Sequence, residues 1–199
     1  MSGIWAIILW AVSAYLLGAI PWSVWLGALF FRADPRAQGD GNPGAANAFR
    51  AAGWRLGVAV LALDFFKAFI PVAVARWLVN VPGTELFWIA VMPTFGHAFS
   101  IFLRFRGGRG IVVMFGVWAG LTLATGPLIL GAAAIAGVLI LKSDELRALA
   151  IPIVFLAVLL ATHAPLWMLL VALVQSLVLG AKISVFLITR HGQAREGAT

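Results

Sequence analysis

The sequence predicts an all-α protein, a polytopic membrane helical bundle with about seven transmembrane segments, its N-terminus outside and its C-terminus cytoplasmic. Three observations carry that prediction. The 199 residues are 63% hydrophobic and 11% charged, with a mean hydropathy of +1.04. Apolar runs long enough to cross a hydrocarbon layer of about 30 Å recur along the chain. The basic residues behind the net charge of +7 gather between alternate runs. In a soluble protein that charge would point to nucleic acid; beside apolar spans it sets orientation, and no nucleic-acid partner is expected.

The first run, 4–31, has no basic residue before it and is too long for the core of a signal peptide, so it is read as a span. Further spans follow at about 54–79, 86–104, 111–124, 127–141, 148–162 and 165–189. Thr125-Gly126-Pro127 and His163-Ala164-Pro165 place helix breakers inside otherwise continuous apolar stretches. Asn80-Val81-Pro82-Gly83 is a turn without a basic residue. With seven crossings the cytoplasmic segments are about 32–53, 104–110, 142–147 and 190–199. They hold Arg32, Arg36, Arg50, Arg104, Arg106, Arg109, Lys142, Arg147, Arg190 and Arg195. The outside turns hold no arginine or lysine, although Arg76 lies near one end, and this asymmetry follows the positive-inside rule. Merging 111–141 into one helix would move Lys142 and Arg147 outside. Seven spans are therefore preferred, although 111–124 is short at about 1.5 Å per residue. Residues 1–199 are read as a single multi-pass integral membrane domain. Tryptophans such as Trp5, Trp10, Trp22 and Trp167 suit membrane interfaces.

Composition also removes some chemistries. There is no cysteine, so disulfides, thiolate catalysis and cysteine-ligated metals are excluded;. His97, His163 and His191 are far apart and lack metal-ligand spacing. No metal site and no cofactor are expected.

The polar residues that remain need an explanation. The loop Arg32–Arg50 reads RADPRAQGDGNPGAANAFR. Residues 39–44 match GxGxxG, and Asp64 lies 20 residues beyond Gly44, which imitates a dinucleotide fingerprint. The motif follows a membrane span and Asp64 sits in another, so that reading is rejected. The glycines still let backbone N–H groups approach an anion, and the arginines add forked donors; an ordinary flexible loop with topogenic arginines explains the same residues. Asp64 and Lys67 lie in a span, where a charge costs about 2.5–3.5 kcal/mol on insertion scales. Their i, i+3 spacing lets them pair, either structurally or to hold a cation at a cytoplasmic cavity. His97 precedes RFRGGRG (104–110), which carries three arginines and three glycines immediately before an apolar helix. A glycine turn feeding a helix N-terminus offers N–H groups and the positive dipole end to phosphate. Charge topology alone requires the arginines and not the glycines, so phosphate binding is the preferred reading.

In this order the residues resemble the bacterial acyl-phosphate:glycerol-3-phosphate acyltransferase (PlsY) family, from the first span to about residue 113. LLGAIP (16–21) is similar to its GSIP element. ADPRAQGDGNPGAANAFRAAG is similar to D-I-R-x-x-G-S-G-N-x-G-A-T-N-x-x-R-x-x-G. It matches at Asp34, Arg36, Gly39, Gly41, Asn42, Gly44, Ala45, Asn47, Arg50 and Gly53. LDFFKAFIPV is similar to L-D-x-x-K-G-x-x-P-V, and GHAFSIFLRFRGGRG to G-H-x-F-P-x-F-L-x-F-K-G-G-K-G, with arginine for lysine at 106 and 109. The resemblance implies transfer of an acyl group from acyl-phosphate to the 1-hydroxyl of glycerol 3-phosphate. The product is lysophosphatidate, made for phospholipid synthesis at the bacterial inner membrane without coenzyme A or metal. The implied partners are the two phosphorylated substrates and membrane lipid. Arg50, Lys67 and His97 are the candidate catalytic residues. Arg36, Gly39, Gly41, Asn42, Gly44, Asn47, Arg106, Gly107, Gly108, Arg109 and Gly110 are the candidate substrate-binding residues.

The chain departs from the family pattern at several positions. Asp40 replaces the serine of G-S-G-N and adds a negative charge where phosphates are expected, which opposes their binding. Ala19 and Ala46 replace a serine and a threonine, and Ser100 replaces a proline. Leu179 and Lys182 stand at the histidine and asparagine of a C-terminal H-x-x-N-I element. An alternative therefore stays open: a catalytically impaired paralogue that serves as a lipid- or anion-binding subunit, with a membrane-protein partner in a larger complex. Transport of an organic anion is disfavoured, because no repeated half with matched broken helices is evident.

Overall fold

The computed structural model describes residues 3–196, with side chains up to Thr189. Met1, Ser2 and residues 197–199 of the predicted cytoplasmic tail lie outside the described residues. Every regular element among those described is helical. Helix α1 (Ile4–Ala19) and α2 (Trp22–Leu26, extended by a π-helical turn at Gly27–Phe31) make up the predicted span 4–31. That span is broken rather than continuous: Pro21 has no N–H to give the helix, and the two pieces meet at 40°;. Helix α3 (Ala45–Ala73, extended by a π-helical turn at Val74–Leu78) starts at Ala45 and not at 54. Its first turns are kinked away from the rest at Ala52 and at Gly53, whose φ is 73°.

Next come α4 (Gly83–Ala98) with a 3-10 turn at Ile101–Leu103, α5 (Ile111–Thr122), α6 (Thr125–Ile140), α7 (Asp144–Ala161) and α8 (Leu166–Glu196). Pro127 does not make the break before α6. It sits in the first helical turn, where a missing N–H costs nothing. The break falls instead at Leu123, whose φ of 56° ends α5.

Helical segments thus stand at all seven predicted places, but they differ in reach. Ala45–Leu78, Gly83–Leu103 and Leu166–Thr189 are long and apolar enough to cross a membrane, and the bent α1–α2 pair makes a fourth. Helices α5 and α6, with 12 and 16 residues, are about 18 and 24 Å long at the helical rise. Helix α7 carries Asp144, Glu145 and Arg147 in its first turns, and its N-cap Ser143 accepts from Leu146 N at 3.2 Å;.

Helix α1 packs most closely on α4, and α3 on α5. The α1–α4 contact is backbone to backbone: a side chain at Gly96 would run into Tyr15 and Ala19, and one at Gly18 into Pro93. Small residues are the means of close packing in lipid, where burying apolar surface gives little driving force. A buried polar chain joins α4, α5 and α8, with Trp118 Nε1 donating to Gln175 Oε1 at 2.8 Å and Gln175 Nε2 to Thr94 Oγ1 at 3.1 Å. Outward, Trp5, Leu29, Phe30, Leu139 and Ile188 are exposed, as suits an integral membrane protein whose solvent there is hydrocarbon.

Candidate functional site

The break between α1 and α2 frees two carbonyls that a continuous helix would have used, and the site is built on them. Ser100 Oγ donates to Ala19 O at 2.6 Å. Lys67 Nζ, from α3, donates to Ile20 O at 2.9 Å. Lys67 also lies 2.7 Å from Asp64 Oδ1 and 3.1 Å from His97 Nδ1, and all three side chains are buried. The predicted pair of Asp64 and Lys67 is therefore real, and His97 joins it.

These distances fix a tautomer. An ammonium has three protons and no acceptor, and the three neighbours of Lys67 use all of them. Nδ1 of His97 must then accept, so the ring is neutral with its proton on Nε2. Nε2 faces Gly108, where any side chain would collide with it. Beside the triad is a cavity of about 10 Å³, lined by Asp64, Lys67, His97, Ser100, Trp22 and Gly108, which is room for about one water;. The indole Nε1 of Trp22 is buried without a hydrogen-bond partner among the described residues.

The turn 104–110 reverses the chain at the end of α4. Arg104 and Phe105 take left-handed conformations, with φ of 52° and 63°. Gly107 N then donates to Ala98 O at 3.1 Å and Gly108 N to His97 O at 3.0 Å. The sequence reading offered these N–H groups to phosphate; in the structure they cap the last carbonyls of α4. Gly107 has to be glycine, since a Cβ there would overlap His97 O. Lys182, from α8, also donates to Ala98 O at 2.9 Å and lies over the Phe99 ring. Gly110, with φ of 85°, forms the N-cap of α5.

The loop before α3 closes on this turn. Asp40 Oδ2 lies 2.7 Å from Arg109 Nη2. Asp40 Oδ1 accepts from Asn47 Nδ2 at 2.7 Å and from Asn42 N at 3.1 Å. Asn42 Oδ1 accepts from Arg109 N at 3.2 Å. Arg50 Nη1 donates to Asn47 Oδ1 at 2.6 Å, and the guanidinium of Arg109 lies over Phe186 of α8. Gly39 has φ of 54°, and a Cβ there would press on Asn47 and Arg50. Gly41, with φ of 73°, makes the next turn, and Gly44 is the N-cap of α3. The negative charge at position 40, read as repelling phosphate, is thus matched by an internal cation.

Arg36 and Arg106 stand apart from this network. With Arg104, Phe102 and Leu103 they line an open groove of about 690 Å³. Asp34 caps the 3-10 turn Pro35–Ala37, and its carboxylate accepts from Arg36 Nε and Nη2. That hydrogen bonding holds the Asp34 carboxyl below its ordinary range and raises Arg36;.

The candidate residues thus fall into three groups: Lys67 and His97 deep, the 39–50 loop with Arg109 above them, and Arg36 with Arg106 outside. Sequence reasoning missed Phe186, and met Trp22 only as an interface tryptophan and Ser100 only as a departure from a proline. It met Lys182 only as a misfit, although Lys182 and Phe186 at i, i+4 on an otherwise apolar helix mark one face. Leu179 is core, 1% exposed.

Known proteins are similar to this chain in sequence and fold. A family model described as Glycerol-3-phosphate acyltransferase matches residues 8–196. Glycerol-3-phosphate acyltransferase of Pseudomonas aeruginosa is 41% identical over 111 residues, which are 56% of this chain and 58% of that protein. The Anaeromyxobacter sp. relative of the same name is 44% identical over 109 residues, 53% of this chain and 54% of its own. The match thus spans a little over half the length of these curated relatives. The crystal structure of PlsY, an integral membrane glycerol 3-phosphate acyltransferase, in its glycerol 3-phosphate form superposes with a TM-score of 0.83. It is 27% identical, covering 96% of this chain and 94% of that one. The lysophosphatidic acid form gives 0.81 at 25% identity, covering 96% and 93%.

Proposed function

The chain belongs to the glycerol-3-phosphate acyltransferase family, and on that premise we propose that it acylates glycerol 3-phosphate with acyl-phosphate, giving lysophosphatidate and phosphate. The observation that carries this reading is the closure of the 39–50 loop onto the 106–110 turn directly above His97. Two anion-binding motifs, about 60 residues apart in sequence, form one cationic mouth over a neutral imidazole.

In the reaction the 1-hydroxyl oxygen bonds to the acyl carbonyl carbon and the bond from that carbon to the phosphate oxygen breaks. The hydroxyl proton ends on the departing phosphate. Arg50 and Arg109, with the Asn42 side-chain amide and the backbone at Gly39 and Gly110, hold the phosphates, while Asn47, Gly41 and Gly44 spend their N–H groups on shaping the loop. The Nε2–H of His97 points past Gly108 and donates to negative charge as it develops. Lys67 is a buried cation with all its protons engaged, so it acts by its charge and by fixing the tautomer. Gly107 holds the turn in place. Arg36 and Arg106 draw anionic substrate into the outer groove.

The chain is one integral domain, multi-pass in the bacterial inner membrane. Seven segments, with the N-terminus outside, put the 32–53 loop, the 104–110 turn and residues 142–147 on the cytoplasmic side. The acyl tail lies among the helices, beside membrane lipid.

The ion pair between Asp40 and Arg109 favours a second reading, in which an internal carboxylate occupies the cradle and the chain binds lipid phosphate as a subunit without transferring acyl groups. Purified protein given acyl-phosphate and labelled glycerol 3-phosphate separates the two. Lysophosphatidate above a protein-free control supports the enzyme. None, with phosphate binding retained, supports the subunit.

A further inference from the structure

Asp40 has no part in this chemistry, yet it joins Arg109, Asn47 and Asn42. Its two oxygens do different work. Oδ2 faces Arg109 Nη2 at 2.7 Å, while Oδ1 takes the Asn47 amide at 2.7 Å and Asn42 N at 3.1 Å. Asn47 Nδ2 spends its other proton on Asn42 O at 3.0 Å. With both amide protons engaged, Asn47 Oδ1 is turned outward and receives Arg50 Nη1 at 2.6 Å. The opposite amide orientation would set oxygen against the Asp40 carboxylate and nitrogen against the guanidinium, so the carboxylate decides it.

We propose that Asp40 is a positioning residue of the substrate mouth: it aims Arg109 directly and Arg50 through the amide of Asn47. The assignment of phosphate substrates rests on the acyl-transfer reading, whereas the geometry rests on this network alone. A hydroxyl at this position has a single oxygen to share between the two arms and carries no charge to anchor a guanidinium. A carboxylate spans both arms, one oxygen in a charge-assisted contact with Arg109 and the other on Asn47 and Asn42;. The arginine at 109 and the aspartate at 40 are, in this chain, one device. Asp40 offsets one positive charge of the mouth and in return removes the rotational freedom of two.

The test is a double-mutant cycle in lipid nanodiscs using Asp40→Asn, Arg109→Ala and the double variant. Asp40→Asn keeps the size of the side chain and one acceptor oxygen. It is expected to raise KM for the phosphorylated substrates about tenfold, with kcat within about threefold, because the lost contacts serve binding in ground and transition states alike. In the Arg109→Ala background the same change should add no more than about threefold, since coupled residues are not additive. Losses that multiply in the double variant would overturn the proposal by showing that Asp40 only supports the loop. Tighter substrate binding by Asp40→Asn would overturn it too, by making the carboxylate a competitor for the anion. Asp40→Ser provides a second arm if the amide variant does not fold. If the wild type makes no lysophosphatidate, the acyl-transfer reading fails by itself. The cycle is then read as affinity for inorganic phosphate, and a wild-type chain that binds none also overturns the proposal.

Discussion

The protein holds two neighbouring polar clusters that are built on opposite terms. Asp64, Lys67 and His97 are buried, and the ammonium at their centre has every proton committed. Asp40, Asn42, Asn47, Arg50 and Arg109 form a shallower network, partly exposed around a buried Asn47 and drawn from two loops and the first turns of α3. In the deep cluster desolvation is large, so each charge is tolerable only because its partner is present. In the upper one Asp40 and Arg109 keep some contact with water, so single contacts cost less to lose;. On the proposed reading, stability depends on the first cluster and substrate binding on the second.

Breaking the deep pair should have the largest effect. Asp64→Ala leaves a buried ammonium without a counter-ion and is expected to cost about 3–5 kcal/mol of stability, read as unfolding in detergent. A loss below about 1 kcal/mol would place this pair with surface ones and dissolve the contrast. Replacing both charges, Asp64→Leu with Lys67→Met, should keep the protein folded because the unpaired charge is gone. The same variant removes the proton donor that holds His97 in one tautomer, so acyl transfer should fall about 100-fold. Activity without loss would separate the triad from the chemistry.

Gly108→Ala comes next. Its methyl covers Nε2 of His97 while leaving the charges alone, and turnover should fall about tenfold, on the scale of one misplaced hydrogen bond. The smallest effect belongs to the outer rim. Asp34 and Arg36 are 44% and 47% exposed, so Asp34→Asn should cost less than about 1 kcal/mol at neutral pH. Because pairing lowers the Asp34 carboxyl in the folded state, its contribution is present above the ordinary carboxylate range. It is lost as pH falls through the lowered value, and the variant and the parent should become equally stable there.

These regions also differ in how far the sequence revealed them. The spans were readable because hydropathy is a local sum, and both loops stood out by their glycines and arginines, although folding spends the N–H groups of Gly107 and Gly108 on the end of α4. The start of α3 at Ala45 was missed, since AANAFRAAG is too polar to register as membrane helix and its cap is an inconspicuous glycine. The role of Lys67 was only half visible: its pairing with Asp64 follows from i, i+3 spacing, but the Ile20 carbonyl exists only because Pro21 breaks another helix. The meaning of Asp40 was hidden for the same reason. A carboxylate beside phosphate sites reads as repulsive until folding brings Arg109 from 69 residues away.

The fastening of Gly107 and Gly108 to the end of α4 also bears on how this scaffold can be re-engineered. Two backbone bonds and Lys182 tie the turn to the carbonyls of His97 and Ala98, so helix end and turn travel as one cassette. Chimaeras that exchange residues 94–110 together should graft cleanly between relatives. A crossover placed inside that stretch would join a helix to a cap cut for another.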